Sequence, residues 1–148
     1  AHVRRAAVSA LAFSQMKPAA ESITRTLGDE DWMVREMAAE TLGQNANGMV
    51  AVDQLIAALT DDFWQVRLKA IRSLGKMRID RAVLPIGKCI THEQANLRKE
   101  AAAALGEIAD PAAEPFLVLV ANDSDPEVRK NARWALQQVV ARKAKTSS

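Results

Sequence analysis

Asp61-Asp62-Phe63-Trp64-Gln65-Val66-Arg67-Leu68-Lys69-Ala70-Ile71-Arg72-Ser73-Leu74-Gly75 is the stretch whose reading decides the fold. Val66, Ala70 and Leu74 stand four apart, so on a helix of 3.6 residues per turn they share one stripe, which is read as the buried face. The pattern aliphatic-Arg-x-x-Ala-x-x-x-Leu returns from Val3-Arg4, Val34-Arg35, Leu97-Arg98 and Val128-Arg129, and successive arginines lie 31, 32, 31 and 31 residues apart. Five copies without exception make an internal repeat the first organising fact. Gly43, Gly75 and Gly106 follow the leucine in the middle copies and are expected to end the first helix in the left-handed conformation. Asp31, and Asp125 with Pro126 behind it, mark helix starts.

A shorter apolar pattern follows each glycine region and predicts a second helix per repeat. Its expected core residues are Ala19, Ala20, Ile23, Thr26 and Leu27, then Ala51, Val52, Leu55, Ala58 and Leu59. The series continues with Ala82, Val83, Ile86, Cys89 and Ile90, and ends with Ala112, Ala113, Phe116, Leu119 and Val120. Pro85 and Pro115 fall in first turns, where a missing N–H does no harm. The one extra residue between Gln44 and Met49 accounts for the 32-residue step, as an insertion in a loop would.

Composition agrees with a helical chain. Of 148 residues 49% are hydrophobic and 4% aromatic, and the formal charge is +2, too balanced to predict nucleic-acid or membrane binding. Alanine, the best helix former, occurs 28 times. One cysteine, Cys89, and two histidines, His2 and His92, leave no basis for a disulfide framework or a metal centre. No apolar run approaches the ~18 residues of a membrane span, and no signal peptide opens the chain, so the expected location is cytoplasmic.

With Asp, Val-Arg, Ala and Leu-Gly at these spacings, the repeats resemble the short HEAT-like repeats first noted in phycobilisome lyases. The resemblance covers nearly the whole chain. It implies an all-α, right-handed α-solenoid of about four and a half helical hairpins in a single domain, with repeats at about 1–31, 32–62, 63–93 and 94–124. A capping helix at 125–145 and a disordered tail at 146–148 complete it. The N-terminus opens inside a first helix, so the chain is expected to be a slice of a longer array, or to use its uncapped end in a homodimer.

Six residues before the last four signature arginines stand Asp29, Asp61, His92 and Asp123. Arg35, Arg67, Arg98 and Arg129 are therefore read with Asp29, Asp61 and Asp123 as a structural ladder between neighbouring turns rather than an anion site, because placement in every repeat is what structure requires. By the same logic His92 is read as a loop residue, and Trp32 and Trp64 as packing over the next turn in preference to recognition. Cys89 is read as buried and inert.

In solenoids of this type the second helices line the concave face. Their intervening positions give the candidate partner site: Arg25, Gln54, Ile56, Leu84, Lys88, Glu114, Leu117 and Val118. It turns from polar to apolar along the chain, which predicts a protein or peptide partner. No nucleic acid, membrane, metal or cofactor is expected, and no catalytic residues stand outside the repeat pattern. Deoxyhypusine hydroxylases, similar in architecture, need several His-Glu pairs, and only His92-Glu93 is present. HEAT-like DNA glycosylases use basic, aromatic grooves that this chain lacks. The resulting expectation is a non-catalytic interaction scaffold, with a bilin-lyase or chromophore-handling subunit as the alternative.

Overall fold

The computed structural model describes residues 2–12, 17–45 and 47–147, among which every regular element is helical. Two compact units divide the chain at Met77. The first holds α1 (His2–Ala12), α2 (Lys17–Thr26), α3 (Trp32–Gln44), α4 (Val52–Ala58) and α5 (Trp64–Lys76). The second holds α6 (Val83–Gly87), α7 (Ala95–Ile108), α8 (Glu114–Val120) and α9 (Pro126–Thr146). Odd-numbered helices carry the signature, and even-numbered ones are the second helices. Three of the second helices are entered through a 3-10 turn, at Gly48–Ala51, Asp80–Ala82 and Pro111–Ala113.

Signature residues form the core. Val34, Ala38 and Leu42 of α3, Val66, Ala70 and Leu74 of α5, and Leu97, Ala101 and Leu105 of α7 are all fully buried. Burying each aliphatic side chain contributes roughly 1.5–3 kcal/mol. Neighbouring first helices pack side by side, α1 and α5 on α3 in the first unit and α7 on α9 in the second. Each second helix lies against the first helix that follows it. The first copy departs from the expected stripe: Val3 is 79% exposed and Ala7 is also exposed. The Leu11 side chain and Ser148 lie outside the described residues.

The signature glycines do not terminate helices. No glycine among the described residues has a positive φ, and α3, α5 and α7 run on past Gly43, Gly75 and Gly106. Two of these glycines are contact points between first helices. A Cβ on Gly43 would collide with Ser73 of α5, and one on Gly106 with Trp134 and Ala135 of α9. The left-handed residues come three positions later, at Arg78 (φ 54°) and Ala109 (φ 59°), and the Ala109 N–H closes α7 by donating to the Leu105 carbonyl at 2.8 Å.

Helix starts follow the sequence. The Asp31 carboxylate accepts the Met33 N–H at 2.8 Å. Asp125 accepts those of Glu127 at 2.8 Å and Val128 at 3.2 Å. At the C-terminus the chain stays helical through Thr146, whose hydroxyl donates to the Lys143 carbonyl at 3.0 Å, so the expected tail at 146–148 is helix at its first residue.

Candidate partner-binding site

A rail of ionic contacts along the turns fixes where the helices stand. Arg35 reaches forward to the next turn, Nε to Asp61 Oδ2 at 2.7 Å and Nη2 to Oδ1 at 3.1 Å. Arg98 holds Asp123 in the same two-pronged way, at 2.9 and 3.0 Å, and Arg4 Nε lies 2.7 Å from Asp29. The Nη1 edge turns back to the carbonyls of its own turn. Arg35 donates to Asp29 (2.8 Å) and Glu30 (3.1 Å), Arg98 to His92 (2.9 Å) and Glu93 (3.0 Å), and Arg129 to Asp123 (2.7 Å) and Ser124 (3.2 Å). Arg67 donates through Nε to the Asp61 carbonyl.

Each aspartate also accepts the N–H two residues on: Asp31 on Asp29, Phe63 on Asp61 and Asp125 on Asp123, at 2.9, 3.0 and 2.9 Å. At the remaining turn His92 takes over that role, its Nδ1 accepting the Gln94 N–H at 3.0 Å. The carboxyls respond accordingly. The N–H of Asp31, then Arg4, draws Asp29 below the usual carboxylate range. Burial works to raise Asp61, but Arg35 and the Phe63 N–H outweigh it and the net shift is downward. Arg98 lowers Asp123. These contacts tie the signature arginines to the turns.

The aromatic residues also pack. Trp32 stacks on Phe63, ring centres 5.1 Å apart and 11° from parallel, and the Arg35 guanidinium carbon lies 5.9 Å from the centre of the Phe63 ring. Cys89 is 6% exposed.

Of the eight candidate partner residues, three belong to the first unit. Arg25 is exposed and donates to Ser22 Oγ at 3.1 Å, Gln54 is exposed and Ile56 half-buried. Between α2 and α4 a shallow cleft of about 270 Å³ is lined by Thr24, Leu27, Gly28, Gln54, Ala57, Ala58 and Asp61. In the second unit Leu84 is 60% and Val118 58% exposed, and Lys88 is exposed. Glu114 forms an ion pair with Lys143 of α9.

Leu117 is a correction: it is 0% exposed, a core residue of α8, and Leu119, expected in the core, is 66% exposed. The repeat step explains the reversal. Thirty-one residues on from Ile86 stands Leu117, not Phe116, and both Ile86 and Leu117 are fully buried. Ala112 is likewise exposed rather than core, and the Phe116 ring, half-buried, covers Gly87 of α6, where a Cβ would collide with it. Leu84, Val118 and Leu119 are thus the large apolar residues exposed on α6 and α8. The sequence reading also passed over a charged cleft of about 370 Å³ at the end of α7, lined by Arg78, Asp80, Glu107, Arg142 and Lys145 among others. Arg142 is tied there to Asp80 at 3.1 Å and to the Ile108 carbonyl at 2.8 Å, and its contact with Asp80 raises its pKa.

Among the described residues no three His, Cys, Asp or Glu side chains gather to hold a metal ion, and no helix is long and apolar enough to cross a membrane.

The fold is shared with several solved structures. The complex of CpcE and CpcF of phycocyanin lyase from Nostoc sp. PCC7120 is 28% identical with a TM-score of 0.73, over 84% of this chain and 55% of that one. Human deoxyhypusine hydroxylase in complex with glycerol is 28% identical with a TM-score of 0.67, over 80% of this chain and 42% of that one. An engineered protein matches at 24% identity and a TM-score of 0.70, over 84% of this chain and 63% of its own. The chain therefore spans between two fifths and two thirds of the length of these structures. No curated protein sequence matches significantly. Residues 1–51 and 52–137 match the pattern of HEAT repeats, and the chain belongs to that family of all-α solenoids.

Proposed function

We propose that the chain is a non-catalytic interaction scaffold that holds a partner protein or peptide against the exposed apolar side of α6 and α8. One observation carries the reading: Leu84, Val118 and Leu119 are 60, 58 and 66% exposed on α6 and α8, although neighbouring Ile86 and Leu117 are fully buried. Apolar side chains exposed together on helices whose other apolar residues are buried are what a docking surface presents. The likeness to a two-protein complex, CpcE with CpcF, supports a protein as partner. Cross-linking mass spectrometry with a photoreactive group at Val118 should identify the partner. Changing Leu84, Val118 and Leu119 together to Glu should then weaken its binding at least about tenfold with the melting temperature kept. Undiminished binding by the triple variant would remove the proposal.

The same likeness favours a second reading, a chromophore-handling subunit. Co-expression with a phycobilin and a phycocyanin subunit should then transfer visible absorbance to the latter, and none would appear if the chain is a scaffold alone.

A further inference from the structure

The ionic rail recurs from turn to turn, and recurrence is what a repeat framework requires. The charged cleft at the end of α7 does not recur. Thirty-one residues past Ile108, where α7 ends, stands Val139, yet α9 continues to Thr146. Those extra turns carry Arg142 and Lys145. With Arg78, Asp80 and the chain from Gly106 to Ala109 they wall a space of about 370 Å³. A 31-residue step forward from Arg78, Asp80 and Glu107 reaches Ala109, Pro111 and Gln138, and a step back from Arg142 and Lys145 reaches Pro111 and Glu114. No repeat rebuilds the set.

Arg142 ties the three walls together, reaching from α9 to Asp80 at 3.1 Å and to the Ile108 carbonyl at 2.8 Å, so the space is preformed. Arg78 and Ala109, the non-glycine residues with left-handed backbone among those described, both line it. That backbone is costly for any residue with a Cβ, and such outliers gather at ligand sites. Both signs of charge line the space. Asp80 is held by Arg142, whereas among the described residues no carboxylate pairs with exposed Arg78. Lys145 adds a second cation, and Glu107 stands in the last turn of α7, whose end carries partial negative charge. We infer that the cleft binds a free α-amino acid, its carboxylate on the Arg78 guanidinium and its ammonium beside Glu107 and the end of α7. A simple anion meets Glu107 and a simple cation meets Arg78 and Lys145, so a zwitterion suits the lining best, and the volume lies in the range of small-molecule sites. This ligand is independent of the partner proposed for α6 and α8.

The test titrates the proteinogenic amino acids singly into ¹⁵N-labelled protein at constant ionic strength and follows the amide resonances of Gly106 and Ala109. At least one amino acid should shift them saturably. Its N-acetyl derivative, which lacks the ammonium, and its methyl ester, which lacks the carboxylate, should each bind at least about tenfold more weakly. Arg78→Gln and Glu107→Gln should weaken binding to the same extent and keep the melting temperature, since both side chains are exposed. Leu84→Glu should leave binding unchanged. No saturable shift with any amino acid, equal binding of the acetylated or esterified forms, equal binding by Arg78→Gln, or the same shifts with inorganic phosphate would each overturn the inference.

Discussion

Val3 in α1 and Val128 in α9 hold the same place in the repeat, yet one is 79% exposed and the other 0%. The pattern that makes a residue apolar is written locally, whereas its burial depends on the helix that comes before, as in any quasi-one-dimensional array. The outward positions of α9 show the converse. Gln137 and Arg133, both exposed, stand where earlier copies have the glycine file Gly43, Gly75 and Gly106 and the buried residues Ala39, Ile71 and Ala102. Arg133 is anchored there by a 3.1 Å bond to the Ala121 carbonyl. At these positions α1 thus shows Val3 and Ala7, whereas α9 shows Arg133 and Gln137 beside exposed Trp134 and Val140.

The contrast is sharpest at adjacent residues. Leu117→Asp puts a carboxylate into a fully buried site and should cost on the order of 4 kcal/mol or more, unfolding the second unit, while Val118→Asp should stay within about 0.5 kcal/mol. Chemical denaturation of the pair measures it. Leu97→Ala, at a buried signature position, should cost about 2–5 kcal/mol, against less than about 0.5 kcal/mol for Val3→Ala; equal losses would erase the distinction between α1 and its successors.

Asp61→Ala removes the partner of Arg35 Nε and Nη2 and of the Phe63 N–H and should cost about 2–3 kcal/mol. The rail also sets an acid limit. Asp29, Asp61 and Asp123 are lowered in the folded state, so the unfolded chain binds more protons. Their contribution is full above the unfolded carboxyl value of about 4 and lost as pH falls through the folded values. Melting temperature should therefore hold between about pH 5 and 7 and drop below about pH 4. The smallest effect is a gain: Ala109→Gly relieves a left-handed alanine and should stabilise by up to about 1 kcal/mol.

The first helices were legible because three apolar positions in nine residues leave one helical stripe. The Asp31 and Asp125 caps were legible because an acceptor before a helix has few other uses. The second helices were harder. With only 5 residues in α6 and 7 in α8, periodicity alone does not fix which side faces inward, and Leu117 and Leu119 exchanged roles. Carrying the 31-residue step from Ile86 would have placed Leu117 in the core. The signature glycines misled for another reason: their use is set by Ser73 and Trp134 on the neighbouring helix, which no local pattern reports. The charged cleft at α7 escaped because Asp80 and Arg142 are 62 residues apart.

Cys89 is the chain's single cysteine and lies 6% exposed, its thiol facing the Pro85 carbonyl. A thiol of that kind reacts slowly with alkylating reagents and oxidants. The surface of the molecule is in effect chemically silent toward maleimides, so a cysteine introduced at Val118 would carry a spin label or dye alone and report what settles beside it.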